Sequence, residues 1–322
     1  MPEIIGFAEG ERLLAWPCLC AALEHGHTLP RAAIADSFVY RGADTLLNRA
    51  AWIDGLGLAV KSATVFPANP ARDKPAVNGG VCLYSDRDGT LEAIVDFHLV
   101  TKWKTAGDSL LAATRLARPD SREILIVGAG TVAHALYESY SSAFPQARFT
   151  VWNRSAAGAE RLASSFPQIA VARDLEDAVR AADIVTSATM ATHPLIRGDW
   201  LRPGQHVDLI GAFRADMREA DDAALQRARI FVDSRETTLG HIGELKTPLA
   251  SGAIAETDIV ADFYDLPGGQ FARTSEDEIT LFKNGGGAHL DLMTCAHILA
   301  AWRGRGCGLS CDDLAGRAHF QP

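Results

Sequence analysis

The stretch Glu123-Ile-Leu-Ile-Val-Gly-Ala-Gly-Thr-Val-Ala133 limits the possible folds more than any other part of the chain. A run of apolar, strand-forming residues breaks at Gly128-Ala129-Gly130 and passes into a helical pattern from Thr131 to Phe144. Glycine at 128 permits a tight strand-to-helix turn, and glycine at 130 lets the backbone approach a pyrophosphate. Ala133 is small enough for the helix to pack close on a sheet. The start of such a helix presents free N–H groups and the positive end of its dipole to phosphates. A lone Gly-x-Gly-x-x-Ala is a weak signal, because glycine-rich turns are common. Here a strand precedes it, a helix follows, and a second strand fits Arg148–Trp152. The reading is a dinucleotide site with Gly128, Gly130, Thr131 and Val132 at the phosphates.

From Arg122 onward strand and helix patterns alternate, the signature of a parallel doubly wound sheet. Strands are expected at Ile124–Val127, Phe149–Trp152, Ile169–Ala172, Ile184–Ser187, His206–Ile210 and Ile230–Asp233. Helices fall between them, including Ala156–Ser165, Leu175–Ala181 and Glu219–Arg227. Ile279–Arg303 reads as a glycine-rich interruption followed by a long helix. In an open parallel sheet nucleotides sit at the carboxyl ends of the strands, which adds Thr189 and Met190 to the candidate site.

The second strand of a NAD-binding sheet usually ends in Asp or Glu, which takes the ribose 2′-hydroxyl. This one ends Val151-Trp152-Asn153-Arg154-Ser155. A planar, multidentate Arg154, helped by Asn153 and Ser155, suits a 2′-phosphate, so NADP(H) is expected over NAD(H).

The region before Arg122 is different in kind. Glu9–His25 reads as a helix, and Phe38–Tyr40, Thr45–Leu47, Leu58–Val65, Gly80–Tyr84 and Leu91–Phe97 read as strands of a mixed antiparallel sheet. Leu99–Arg118 repeats its apolar residues at helical spacing and is closed by Pro119. With 322 residues and 48% apolar content the chain has enough material for two cores. A net charge of −9 without a basic block argues against nucleic acid and anionic membrane surfaces. No apolar stretch reaches transmembrane length and the start lacks a secretory pattern, so a cytoplasmic protein is expected. Six cysteines, among them Cys307 and Cys311, and scattered histidines show no metal-ligand spacing; reduced thiols and no metal are expected.

Several stretches taken together resemble the ornithine cyclodeaminase/mu-crystallin family nearly end to end. They are Lys61-Ser-Ala-Thr-Val-Phe-Pro-Ala-Asn-Pro70, Thr101-Lys-Trp-Lys-Thr-Ala106, the Gly128–Ala133 turn and Val151–Arg154. Further on come Ala188-Thr-Met-Ala-Thr-His-Pro194, Gly211-Ala-Phe-Arg-Ala-Asp-Met-Arg-Glu219, Val232-Asp-Ser234 and Asp277-Glu-Ile-Thr-Leu-Phe-Lys283. The likeness is greatest to the mu-crystallin-like ketimine reductases.

The resemblance implies an α/β chain, a Rossmann doubly wound sheet inserted into a smaller α+β domain that binds substrate and forms a homodimer. The expected division is 1–118 with 300–322 for the substrate domain and 119–299 for the dinucleotide domain. It also implies a small amino- or imino-acid substrate. Lys61 matches the family's active-site lysine, as proton donor or orienter. Arg31 matches the arginine that grips the substrate carboxylate, with Arg41 and Arg49 as alternatives. Lys104 stands where most members carry arginine, and Asn78 where they carry another polar residue. Gly211 and the turn at Gly286 are expected against the nicotinamide.

The departure at Phe213 carries most information. Cyclodeaminases have Gly-Gly-Asp here, and that carboxylate is catalytic. Phe213 cannot serve as a base, whereas a cyclic ketimine needs only hydride to carbon and one proton to nitrogen. The expected activity is NADPH-dependent reduction of cyclic 2-imino acids such as pyrroline-2-carboxylate and piperideine-2-carboxylate. An amino-acid dehydrogenase, an ornithine cyclodeaminase and a catalytically weak NADPH- or small-ligand-binding protein are the alternatives.

Overall fold

The structure, a computed structural model, describes residues 1–304. Residues 305–322 of the expected 300–322 return, Cys307 and Cys311 among them, lie outside the described residues. The chain forms two compact units. The first is Met1–Lys104 with the return segment from Gly287, and the second is Thr105–Gly286.

The first unit opens with β1 (Glu3–Ile5), α1 (Phe7–Glu11) and α2 (Trp16–Gly26). A single helix over Glu9–His25 was expected, but Pro17 lacks an N–H and fits only a first turn, so the helix restarts at Trp16. Then come β2 (Ala33–Arg41), β3 (Asp44–Ile53), β4 (Gly57–Val65), β5 (Val77–Tyr84) and β6 (Leu91–Asp96). They form one sheet in the order β1-β6-β5-β4-β3-β2, antiparallel except that β1 runs parallel to β6. In β4 the side chains of Ala59, Lys61 and Ala63 are buried and those between them are less so. This period-2 pattern places Lys61 on the covered face of the sheet.

Helix α3 (Phe97–Leu116) is shared between the units, which divide after Lys104 rather than at residue 118. Its two ends answer to different partners. Trp103 stacks on Trp16 at 3.9 Å and donates its Nε1–H to Glu11 at 2.6 Å. Further along, Ser109 donates to Asp208 at 3.1 Å.

The second unit alternates β7 (Glu123–Val127), α4 (Thr131–Ala143), β8 (Arg148–Trp152), α5 (Ala156–Ser165), β9 (Ile169–Val171), α6 (Leu175–Ala181) and β10 (Ile184–Ser187). It continues with β11 (His206–Leu209), α7 (Asp222–Arg227), β12 (Ala228–Val232), α8 (Arg235–Thr238), α9 (Gly243–Ser251), β13 (Ile259–Ala261) and β14 (Ile279–Lys283). All eight strands are parallel, in the order β13-β12-β14-β11-β10-β7-β8-β9. Between β7 and β10 the order reverses, which is the switch point where such sheets bind nucleotides. Val127, Val185, Val207, Leu209, Val232 and Leu281 fill the core on one side of this sheet.

The alternation was legible, but β13 and β14 were not. Every residue of β14 is buried, so it shows no period-2 pattern, and it inserts between β11 and β12. The helix expected over Glu219–Arg227 is only α7, capped by the Asp221 side chain on Ala224 N–H at 2.9 Å. Glu219 therefore lies outside the helix and is buried. The last helix, α10 (Ala288–Trp302), returns to the first unit from Gly287 rather than from residue 300 and packs on β3, β4 and β5.

Candidate active site

In the second unit the residues expected at the phosphates surround the switch point. Gly128 has φ +108° and donates its N–H to Trp152 O at 2.8 Å; a Cβ on it would lie 2.6 Å from Ala188 O. Only glycine suits both the dihedral and the space. Gly130 is different, with φ −86° and nothing within 4 Å of a Cβ. Neither its backbone nor its packing demands glycine, and the main chain there is open to close approach. That fits a pyrophosphate. Gly130 is also the N-cap of α4 and no side chain caps that turn, which leaves the first-turn N–H groups of Thr131 and Val132 to an anion.

At the end of β8, Asn153 folds back and donates its Nδ2–H to Ser155 O at 2.9 Å. Arg154 and Ser155 are exposed, and the Ser155 hydroxyl does not cap α5 although Ser155 is its N-cap. Thr189 follows β10, half-buried, and Met190 beside it is 66% exposed. Gly211 follows β11, where a Cβ would strike the Thr189 backbone. Gly286 has φ +69° and donates its N–H to Asp233 at 2.7 Å.

Phe213 is 57% exposed, with the Arg214 guanidinium 5.4 Å from its ring centroid. Asp216, three residues on, does not replace the missing base. A hydrogen bond from Arg214 holds its carboxyl below the usual range, and it is exposed.

The first unit carries a second cluster. Lys61 is only 8% exposed. Its ammonium donates to Asp291 Oδ1 and to Thr101 Oγ1, each at 3.0 Å, and lies 4.7 Å from the Phe97 ring centroid. Asp291, from the first turn of α10, is buried, and its Oδ2 accepts no hydrogen bond among the described residues. Burial would raise its carboxyl, but Lys61, then Lys104 and Arg49, overcome this and hold it below the usual range. Lys104 is itself buried. Arg49 is the cross-strand partner of Lys61, so the two side chains share a face.

Of the three arginines considered, the geometry thus brings Arg49 directly to Lys61. Arg49 also pairs with Asp36 at 3.1 Å. Arg31 is exposed just before β2, and Arg41 pairs with Asp44 at the hairpin end. Arg31 does reach the same surroundings electrostatically, since with Lys104 and Arg49 it disfavours protonation of the buried His289, after burial itself and His27. Asn78 is set apart from the cluster. It pairs with Thr64, three residues from Lys61, so its side chain is on the opposite face, and it donates to Pro75 O at 3.1 Å.

Sequence reasoning missed three carboxylates. Asp291 is 230 residues from Lys61 along the chain, in a stretch whose pattern shows only a long helix. Asp233 accepts the N–H groups of Gly285 and Gly286 at 3.0 and 2.7 Å. Glu219 accepts from Ser187, Thr189 and Gly211. Asp233 and Glu219 sat inside stretches already quoted for their resemblance, and that was their only signal.

A pyrroline-2-carboxylate reductase of Paracoccus denitrificans is 53% identical over 94% of this chain and 98% of its own. The ketimine reductase mu-crystallin of Rattus norvegicus is 33% identical over 76% of each chain. The solved pyrroline-2-carboxylate reductase of Thermococcus litoralis, in complex with NADH and L-proline, superposes with a TM-score of 0.84. It covers 95% of this chain and all of its own at 24% identity, a likeness of fold. The family model for ornithine cyclodeaminase and mu-crystallin matches residues 52–305, a span that takes in Lys61, Lys104, Asp291 and the dinucleotide turn, and the chain belongs to that family.

Proposed function

We propose that this chain is an NADPH-dependent reductase of small cyclic 2-imino acids of the pyrroline-2-carboxylate and piperideine-2-carboxylate type. The carrying observation is the geometry of Lys61. An ammonium has three donors, and Asp291 and Thr101 take two. The third is left to direct at a ligand atom, here the ring nitrogen. Asp291 fixes the direction of the ammonium. Lys104 and Arg49, with Arg31 as a further cation, attract the substrate carboxylate.

When bound, the dinucleotide supplies hydride. Reduction of the C=N bond leaves the ring nitrogen one proton short, and Lys61 would give it that proton. No second base is required, which agrees with Phe213 in place of a carboxylate. The relative at 53% identity is a reductase of this kind.

Preference for NADPH over NADH rests on Arg154 and Ser155, exposed where a 2′-phosphate would lie and with no carboxylate between Val151 and Ser155 to repel it. A homodimer through the first unit is supported by its sheet. On the face opposite Lys61, Ile4, Ile94, Cys82, Val60, Ala50 and Ala35 form an apolar row across all six strands. Ile4 and Ile94 in that row are exposed. A cytoplasmic site of action suits Cys82 and Cys295, which form no disulfide among the described residues. Among the described residues no helix is long and apolar enough to cross a membrane.

The test follows NADPH consumption with the two ketimines, beside NADH and beside ammonia release from L-ornithine. Fast NADPH loss with a ketimine and no ammonia is expected. Ammonia release would favour a cyclodeaminase, and NADPH bound without consumption would leave a ligand-binding role.

A further inference from the structure

The buried carboxylate of Glu219 occupies a place that the reaction above does not use. Its Oε1 accepts from Ser187 Oγ at 2.7 Å, from Thr189 N at 2.8 Å and from Thr189 Oγ1 at 2.8 Å. Its Oε2 accepts from Gly211 N at 2.6 Å. One side chain thus ties the end of β10 and the residues that follow it to the residue that follows β11. Glu219 is held in turn. Its own N–H and that of Ala220 donate to the buried Glu244 at 2.7 and 2.9 Å. The absence of a Cβ at Gly211 lets the two segments meet, since any Cβ would strike Thr189. Burying a carboxylate is costly, and a neutral core would hold strands together without it. Four hydrogen bonds to a charged acceptor give directional precision that apolar packing does not.

A doubly wound sheet binds a dinucleotide as two mononucleotide halves on either side of its switch point. β7, β8 and β9 with Arg154 form the adenosine side, and β10, β11 and β14 form the other. All four hydrogen bonds to Glu219 come from the second side. We infer that Glu219 is a positioning residue for the nicotinamide half of the cofactor, setting the segments at Thr189 and Gly211 in the shape that half requires. The inference rests on the dinucleotide reading of the second unit.

Glu219→Gln tests it. An amide has one acceptor oxygen, and its NH₂ would face a group that itself donates, so at least one of the four bonds is lost. Calorimetric titration with NADP⁺ and with 2′,5′-ADP, which carries only the adenosine half, separates the outcomes without any turnover. NADP⁺ affinity is expected to fall by roughly ten-fold or more, the scale of a lost charge-assisted hydrogen bond. Binding of 2′,5′-ADP should stay unchanged. Equal loss for both ligands would show a general structural role and overturn the inference, as would unchanged NADP⁺ affinity. Ser187→Ala removes one donor to the same carboxylate and should give the same selectivity at smaller size, which keeps the test open if Glu219→Gln does not fold. Should the unaltered chain bind neither ligand, the dinucleotide reading itself fails, and the role of Glu219 with it.

Discussion

Lys61 and Asp291 form a buried ion pair on which both stability and the proposed proton transfer would depend. Both side chains are nearly inaccessible, so removing the carboxylate leaves a buried ammonium facing Thr101, Lys104 and Arg49 with nothing to balance it. Asp291→Ala should therefore lower unfolding stability by about 3–5 kcal/mol in denaturant titration, the usual result of breaking a buried pair from one side. A loss below about 1 kcal/mol would mean the pair is screened like a surface one. Lys61→Ala should instead abolish ketimine turnover while calorimetry still shows NADPH binding, because Lys61 belongs to the first unit and the dinucleotide residues to the second. At this scale the sequence was half legible. Lys61 stood out through its family motif and its strand. Asp291 did not, because a single acid in a helix of otherwise apolar character reads as an ordinary polar position until the fold sets it beside a lysine 230 residues away. The arginine was ambiguous for a similar reason: only strand register shows that Arg49 stands opposite Lys61.

Elements are more legible than their contacts. A five-residue strand, two glycines and a helix start reveal themselves locally, because the dihedral demand of Gly128 and the open approach over Gly130 are properties of adjacent residues. The segment between β11 and α7 does not. The sequence pattern predicts a helix from Glu219 on, whereas Glu219 and Ala220 lie before α7 and bind β10, the residues after β11 and Glu244 in α9. Glu244 provides a prediction of its own. Burial first, and then the nearby Glu219, push its carboxyl from 4.5 up to about 7. A carboxyl raised in the folded state favours folding while protonated. Its contribution is fully present below the unfolded value and is lost as pH rises through the folded one. Thermal melts between about pH 5 and pH 8 should accordingly show a decline with pH that Glu244→Gln flattens, since the amide does not titrate. A decline of the same steepness in both proteins would place its source elsewhere.

For the molecule as a whole, the two-unit plan followed from the change in pattern near residue 120, yet the exact division did not. A helix such as α3 is continuous in sequence even where its two halves are held by different partners. The apolar face of the first sheet sets the next prediction. Ile94 lies in the exposed row and makes no contribution to the covered face, so Ile94→Asp should leave the fold intact and place charge where a second copy would dock. Light scattering on the purified protein should then report a monomer in place of a dimer. A dimer that survives the substitution would move the interface to another surface.

The order of the units along the chain has a consequence during synthesis. The six-stranded sheet leaves the ribosome first, but the helix that covers its inner face is Ala288–Trp302, behind the whole second unit. Until that helix emerges, Lys61 has no Asp291 and the buried face of β3, β4 and β5 has no lid. The contiguous second unit can condense earlier, as domains commonly do during translation. With Lys61 as the proposed proton donor, a nascent chain stopped at Gly286 would already have its second unit while Lys61 still lacked Asp291. Such a half-made chain would bind dinucleotide before it could turn over a substrate.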